Sequence, residues 1–169
     1  MDVVRTSAAL LLLALSGCGS PSAAPTDWPN FLGPTHDGVS QERNFKLDFS
    51  DEGPPVLWRK EIGTGYSSPV VAGGRLIVMH RRESEELVEC LDAASGKSQW
   101  KLAYPATFEC EYQYSNGPYS TPAIAHDRVY AWSAEGCLRC LALESGQLLW
   151  QRDLNDEYEK CNFKNLLEN

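Results

Sequence analysis

Cys90-Leu91-Asp92-Ala93-Ala94-Ser95-Gly96-Lys97-Ser98-Gln99-Trp100 returns 50 positions later as Cys140-Leu141-Ala142-Leu143-Glu144-Ser145-Gly146-Gln147-Leu148-Leu149-Trp150. Upstream, Ser67-Ser68-Pro69-Val70-Val71-Ala72-Gly73-Gly74-Arg75-Leu76-Ile77 returns after 53 positions as Ser120-Thr121-Pro122-Ala123-Ile124-Ala125-His126-Asp127-Arg128-Val129-Tyr130. A period near fifty residues points to repeated sheet modules. The three-residue difference falls in the charged stretch His80 to Glu86, which reads as a solvated loop, where length varies freely.

Each unit holds four short apolar runs divided by turn chemistry, at 68–72, 75–80, 87–92 and 97–102, then at 121–125, 128–133, 137–143 and 147–152. Gly73-Gly74, Ser95-Gly96 and Ser145-Gly146 supply the positive φ of tight hairpins. His126-Asp127 aligns with Gly73-Gly74 and reads as a hairpin tip rather than an acid–base pair. No helix of convincing length is predicted. A lone four-stranded sheet leaves both faces unburied, so such units must stack around an axis, which is the β-propeller solution. The expected fold is all-β: an incomplete β-propeller of four-stranded antiparallel meander blades.

The stretch Leu91 to Trp100 resembles the signature A-L-D-x-x-T-G-x-x-x-W of the pyrroloquinoline-quinone-like (PQQ-like) repeat propellers, with Ser95 and Ser145 in place of Thr and Ala142 in place of Asp. Asp27-Trp28-Pro29-Asn30-Phe31-Leu32-Gly33-Pro34-Thr35-His36-Asp37-Gly38-Val39 is similar to the D-W-P-x-F-x-G-P-x-x-D-G-V lead-in of exported members. The resemblance implies that Trp58, Trp100 and Trp150 dock one blade on the next and that Gly96 and Gly146 hold the turns. It also implies about eight blades, whereas this sequence predicts two complete blades over 56–152 and the start of a third over 153–169. A fragment, a subunit completing a ring with other chains and a small open sheet are the readings that follow, the first being preferred.

The N-terminus sets the compartment. Ala8 to Leu15 is a small and apolar run after a head whose only cation is Arg5, the pattern of a signal peptide, and shorter than the roughly 20 residues that span a bilayer. Leu15-Ser16-Gly17-Cys18 resembles a bacterial lipobox, which implies a signal over 1–17 and lipidation at Cys18. Residues 18–26 then form a Ser-, Ala- and Pro-rich tether, and 27–55 a lead-in to the blades. An exported, lipid-anchored protein of a bacterial cell envelope is expected, facing the periplasm or the exterior. Its net charge of −8 suits no phosphate backbone, so nucleic acid is not an expected partner. Six cysteines less the lipidated one leave an odd number, so at least one thiol is unpaired.

Cys137 and Cys140 have C-x-x-C spacing, but in a strand residues three apart face opposite ways, so neither a local disulfide nor joint chelation fits. Cys90 and Cys140 read as packed core thiols. The second repeat carries an insertion over Lys101 to Tyr119, with Tyr104, Phe108, Cys110, Tyr112, Tyr114 and Tyr119. In a meander this loop shares a face with the 80–86 loop, so its tyrosines and Phe108 are either a binding face or a cap on the blade edge. No catalytic constellation, metal site or phosphate-binding loop is legible, and no cofactor is expected in this chain. The leading expectation is a non-catalytic, membrane-tethered binding scaffold, similar in repeat type and anchoring to the propeller lipoproteins of the outer-membrane β-barrel assembly machinery. Its expected partners are the membrane, through the N-terminal lipid, and another protein. The alternative is a truncated or degenerate quinone-dependent alcohol or sugar dehydrogenase, in which case the resemblance implies pyrroloquinoline quinone and calcium.

Overall fold

A computed structural model of the chain describes residues 27–43, 48–49, 51, 53–111 and 114–157. The signal segment, the tether with Cys18, Tyr112 and the 158–169 part of the expected third blade lie outside the described residues.

Eight strands form two antiparallel sheets in simple chain order. The first contains β1 (Val70–Ala72), β2 (Arg75–Arg82), β3 (Glu85–Asp92) and β4 (Ser98–Pro105). The second contains β5 (Ala123–Ala125), β6 (Arg128–Trp132), β7 (Cys137–Ala142) and β8 (Leu148–Asp153), with a single helical turn, α1 (Leu154–Glu157), after it. These are two blades of an unclosed propeller.

Turn residues explain the hairpins. Gly73 and Gly74 have φ of 56° and 73° between β1 and β2, and in the second blade His126 and Asp127 adopt the same left-handed geometry at 48° and 58°. Of the non-glycine residues, those with short polar or imidazole side chains tolerate this region best.

The core lies between the sheets. Val70, Ile77, Met79, Val88, Cys90 and Tyr104 of the first blade pack against Ile124, Val129, Ala131, Leu141 and Leu143, with Trp100 and Leu102 at its margin. Strand alternation sends every second residue across this interface. At the outer edge, Trp100 Nε1 donates to Leu143 O at 2.9 Å, and a Cβ on Gly146 would fall 2.5 Å from the indole. One step earlier, Trp58 Nε1 donates to Ala93 O at 3.0 Å over Gly96, where the same clearance is 2.5 Å. Trp150 is the third of the series, 37% exposed and tilted against Tyr130.

At the inner edge, the lead-in crosses both blades. Trp28 exchanges two backbone hydrogen bonds with Val71 on β1, and Pro29 O accepts from Ile124 N on β5. The tight 27–38 segment thus ties together two innermost strands that are too short to hold each other.

Two expectations need correction. The stretch His80 to Glu86 is no solvated loop: β2 runs to Arg82, β3 starts at Glu85, and only Glu83 and Ser84 turn. His80 is 1% and Glu86 0% exposed. The pairs Arg81↔Glu86 and Arg82↔Glu85 set opposite charges across the hairpin, and Thr64 bridges Arg81 on its far side, which extends the ladder. The second correction concerns Tyr104, which belongs to β4 and is buried rather than part of a loop.

Gly74 and Gly146 separate backbone strain from docking. Both have φ near 70°, but a Cβ on Gly74 meets nothing within 4 Å. Gly74→Ala should cost about 1–2 kcal/mol, and Gly146→Ala clearly more, with loss of near-ultraviolet tryptophan dichroism. Urea unfolding of the two variants checks this, and equal losses would show that the indole contact contributes nothing.

Candidate functional site

The face carrying the β2–β3 turn also carries the 106–122 connection between the blades. Arg81 fixes the two together: its Nη1 donates to Phe108 O and Asn116 O, and its Nε to Glu83 O. Ala106 N donates to Ser84 O, and Cys110 N to Asn116 Oδ1. Thr107 is held by Glu135 in the β6–β7 turn. The long loop is therefore anchored at several points along its length.

Above these anchors the aromatic rings gather. Tyr66 and Tyr119 stack with centroids 5.5 Å apart, and Phe108 meets Tyr119 edge-on at 6.3 Å. Tyr119 Oη donates to Ser115 O. Tyr66 is 59% and Tyr114 72% exposed. Beside them opens a cleft of about 650 Å³ lined by Thr64, Tyr66, Glu109, Cys110, Tyr114 and Asn116. A second lobe of about 500 Å³ continues it past Glu61, Arg82 and Glu83, sharing Thr64 and Asn116.

Of the residues expected on the binding face, Phe108, Tyr114 and Tyr119 come together here, while Tyr104 does not. Sequence reading missed Tyr66, although the 53-residue offset that aligns Ser67 with Ser120 also aligns Tyr66 with Tyr119. The repeat equivalents meet in space, and Ser68 N likewise donates to Thr121 Oγ1.

Tyr104 lies beneath, between the blades. Its hydroxyl donates to Glu86 Oε2 at 3.0 Å, Ala134 N donates to Glu86 Oε1, and the Arg139 guanidinium sits 3.5 Å over the ring centroid. Burial pushes the Glu86 carboxyl and the Tyr104 phenol upward. On the other face of the first sheet, His80 Nδ1 accepts from Gly63 N, and Glu89 joins His80 to Lys60, 3.1 Å away. Burial lowers the His80 pKa against the pull of Glu89.

Cys137 and Cys140 stand three apart in β7, and Cys90, Cys137 and Cys140 are free thiols. Among the described residues no group of three His, Cys, Asp or Glu side chains could hold a metal ion. The donor set of a calcium-assisted quinone site is therefore not met by these residues.

A family model, PQQ_2, described as the outer membrane protein assembly factor BamB, matches residues 49–164. No curated protein matches the chain. Among solved structures, the quinohemoprotein alcohol dehydrogenase from Comamonas testosteroni matches at 18% identity and a TM-score of 0.53, over 79% of this chain and 20% of that one. BamB from Moraxella catarrhalis matches at 19% identity and a TM-score of 0.37, over 52% of this chain and 22% of its own. A europium-containing methanol dehydrogenase matches at 16% and 0.41, over 55% and 16%. The chain thus covers about a fifth of the length of these structures, and the likeness to the first is one of fold.

Two measurements follow. Folding holds the Glu86 proton more tightly than the unfolded chain does, so its contribution is full below the ordinary value of 4.5 and is lost as pH rises through the higher folded value. For His80 the folded chain holds the proton less tightly, so stability falls as pH drops below the ordinary 6.5. In denaturant midpoints taken from pH 4.5 to 8, Glu86→Gln should remove the loss on the rising side and His80→Gln the loss on the falling side. Burial also pushes the Cys90 thiol up to about 11. Iodoacetamide at neutral pH should therefore label half-buried Cys137 well before Cys90, as read by peptide mass spectrometry.

Proposed function

This chain belongs to the family described as the outer membrane protein assembly factor BamB, and from that membership we propose that it is a protein-binding scaffold of the bacterial cell envelope, tethered to a membrane by a lipid on Cys18. The observation that carries the reading is the loop face. Arg81 turns its guanidinium inward onto backbone carbonyls to hold a loop, and the loop holds exposed aromatic rings over an open cleft. Side chains fixed before a partner arrives reduce the entropy lost on binding.

Tethering rests on the sequence before the fold. A signal-like segment, a lipobox-like Leu15-Ser16-Gly17-Cys18 and a short polar tether precede Asp27, which accepts from Gly73 N. No helix among the described residues is long and apolar enough to cross a membrane.

The second reading, a truncated or degenerate quinone-dependent dehydrogenase, is favoured by the fold likeness to the quinohemoprotein alcohol dehydrogenase.

Expression with a radiolabelled fatty acid in a bacterial host tests the tether. The native chain should take up label and sediment with membranes, and Cys18→Ser should lose both; an unlabelled native chain overturns the lipid anchor. Titration with pyrroloquinoline quinone and calcium, followed by tryptophan quenching, should show no saturable binding. Saturable, calcium-dependent quenching would move the assignment to the dehydrogenase.

A further inference from the structure

We propose that the two-lobed cleft on the loop face takes an extended polypeptide segment and seats a basic side chain of that segment, arginine or lysine, between Tyr66 and Tyr114 beside Glu109. The inference rests on the scaffold reading and adds the chemistry of the partner.

Charge is the first ground. The cations around the cleft are spent on the fold. Arg81 uses Nε and Nη1 on three backbone carbonyls, and Arg82 Nη2 donates to Glu61 O. The carboxylates are not: Glu61, Glu83 and Glu109 are exposed, and among the described residues none of the three is in an ion pair. Three exposed carboxylates, Glu61, Glu83 and Glu109, stand against the two guanidiniums of Arg81 and Arg82, both tied to backbone carbonyls, so the trough is net anionic and complements a cationic visitor.

Aromatic geometry is the second ground. The rings of Tyr66 and Tyr114 are more than half exposed on the wall that also carries Glu109. A guanidinium or ammonium over an aromatic face gains from the ring quadrupole, and the gain grows when a carboxylate lies within reach. The same pairing is already made inside the molecule, where Arg139 lies over Tyr104. Tyr, Ser, Gly and Asn also dominate Gly63 to Ser68 and Tyr114 to Ser120. That mixture of rigid amphipathic rings and small hydrogen-bonding residues serves protein recognition in binding loops.

Shape is the third. The two lobes share Thr64 and Asn116, so they form one trough. A compact ligand fills one lobe, whereas an extended chain lies along both.

The test uses the full chain and three fluorescein-labelled peptides of about 12 residues in a Gly-Ser background, carrying two arginines, two glutamates or two leucines, with binding followed by anisotropy at low and moderate salt. The arginine peptide should bind at least about tenfold tighter than the glutamate peptide, and its advantage should shrink as salt screens the carboxylates. Combined Tyr66→Ala and Tyr114→Ala should weaken it about five- to tenfold with unchanged circular dichroism. Glu109→Gln, which removes charge and keeps shape, should reduce the arginine preference without touching the leucine peptide. Preference for the glutamate or leucine peptide, or binding of maltohexaose in place of all three, overturns the basic-segment inference and leaves the scaffold reading in place. No binding of any peptide up to about 1 mM overturns the inference as well. The scaffold reading falls separately, through saturable binding of quinone with calcium.

Discussion

An indole lying where a side chain would otherwise stand is the contact on which the rest of this molecule depends. Gly146 can hold its left-handed turn with almost any small residue at modest cost, but only a missing Cβ leaves room for the Trp100 ring. The ring brings its own polar group with it, since Nε1 finds Leu143 O and the indole enters without an orphaned donor. Once the outer edge is held in this way, the inner faces of the blades are close enough for Ile77 and Met79 to reach Val129 and Leu141. Neither blade could bury these residues by itself, because a single meander has no second layer. The core is a property of the pair.

The inner edge is secured by different means. β1 and β5 are three residues each and offer few ladder bonds, so the lead-in supplies them from outside. Its Trp28-Pro29 step reaches one strand with Trp28 and the next with Pro29. The buried polar groups gather beside it: Glu86 accepts from Tyr104 Oη and Ala134 N, while Arg139 lies over the Tyr104 ring with its Nη1 buried and without a hydrogen-bond partner among the described residues.

What could be read in the sequence was whatever is local and periodic. Turn pairs such as Ser95-Gly96, the apolar runs and the recurring tryptophan are written within a few residues of one another, and they gave eight strands in the right order. The hairpin around Glu83 was misread because the fate of its charges is decided elsewhere. His80 accepts a hydrogen bond from the Gly63 amide, and Glu86 from a backbone amide 48 residues away. A run of charged residues looks solvated until its partners are known. Tyr104 was assigned to a loop for the same reason, since only pairing with Glu86 shows that β4 continues that far. Tyr66 was a different kind of miss, legible in the repeat itself had the alignment been carried one residue further. The place of the lead-in across two inner edges had no local signal at all.

The docking contact also gives each blade a front and a back. A blade offers its tryptophan on one side and its glycine turn on the other, so successive blades add in a single sense and never face to face. The described chain has three such tryptophans, Trp58, Trp100 and Trp150, and two turns to receive them. Trp58 has filled the first turn, so a second copy approaching from behind finds that seat taken. Among the described residues the turns at Gly96 and Gly146 are filled by Trp58 and Trp100, so the two blades stand in one direction. Whatever sheet comes to rest on Trp150 must bring a glycine turn of its own.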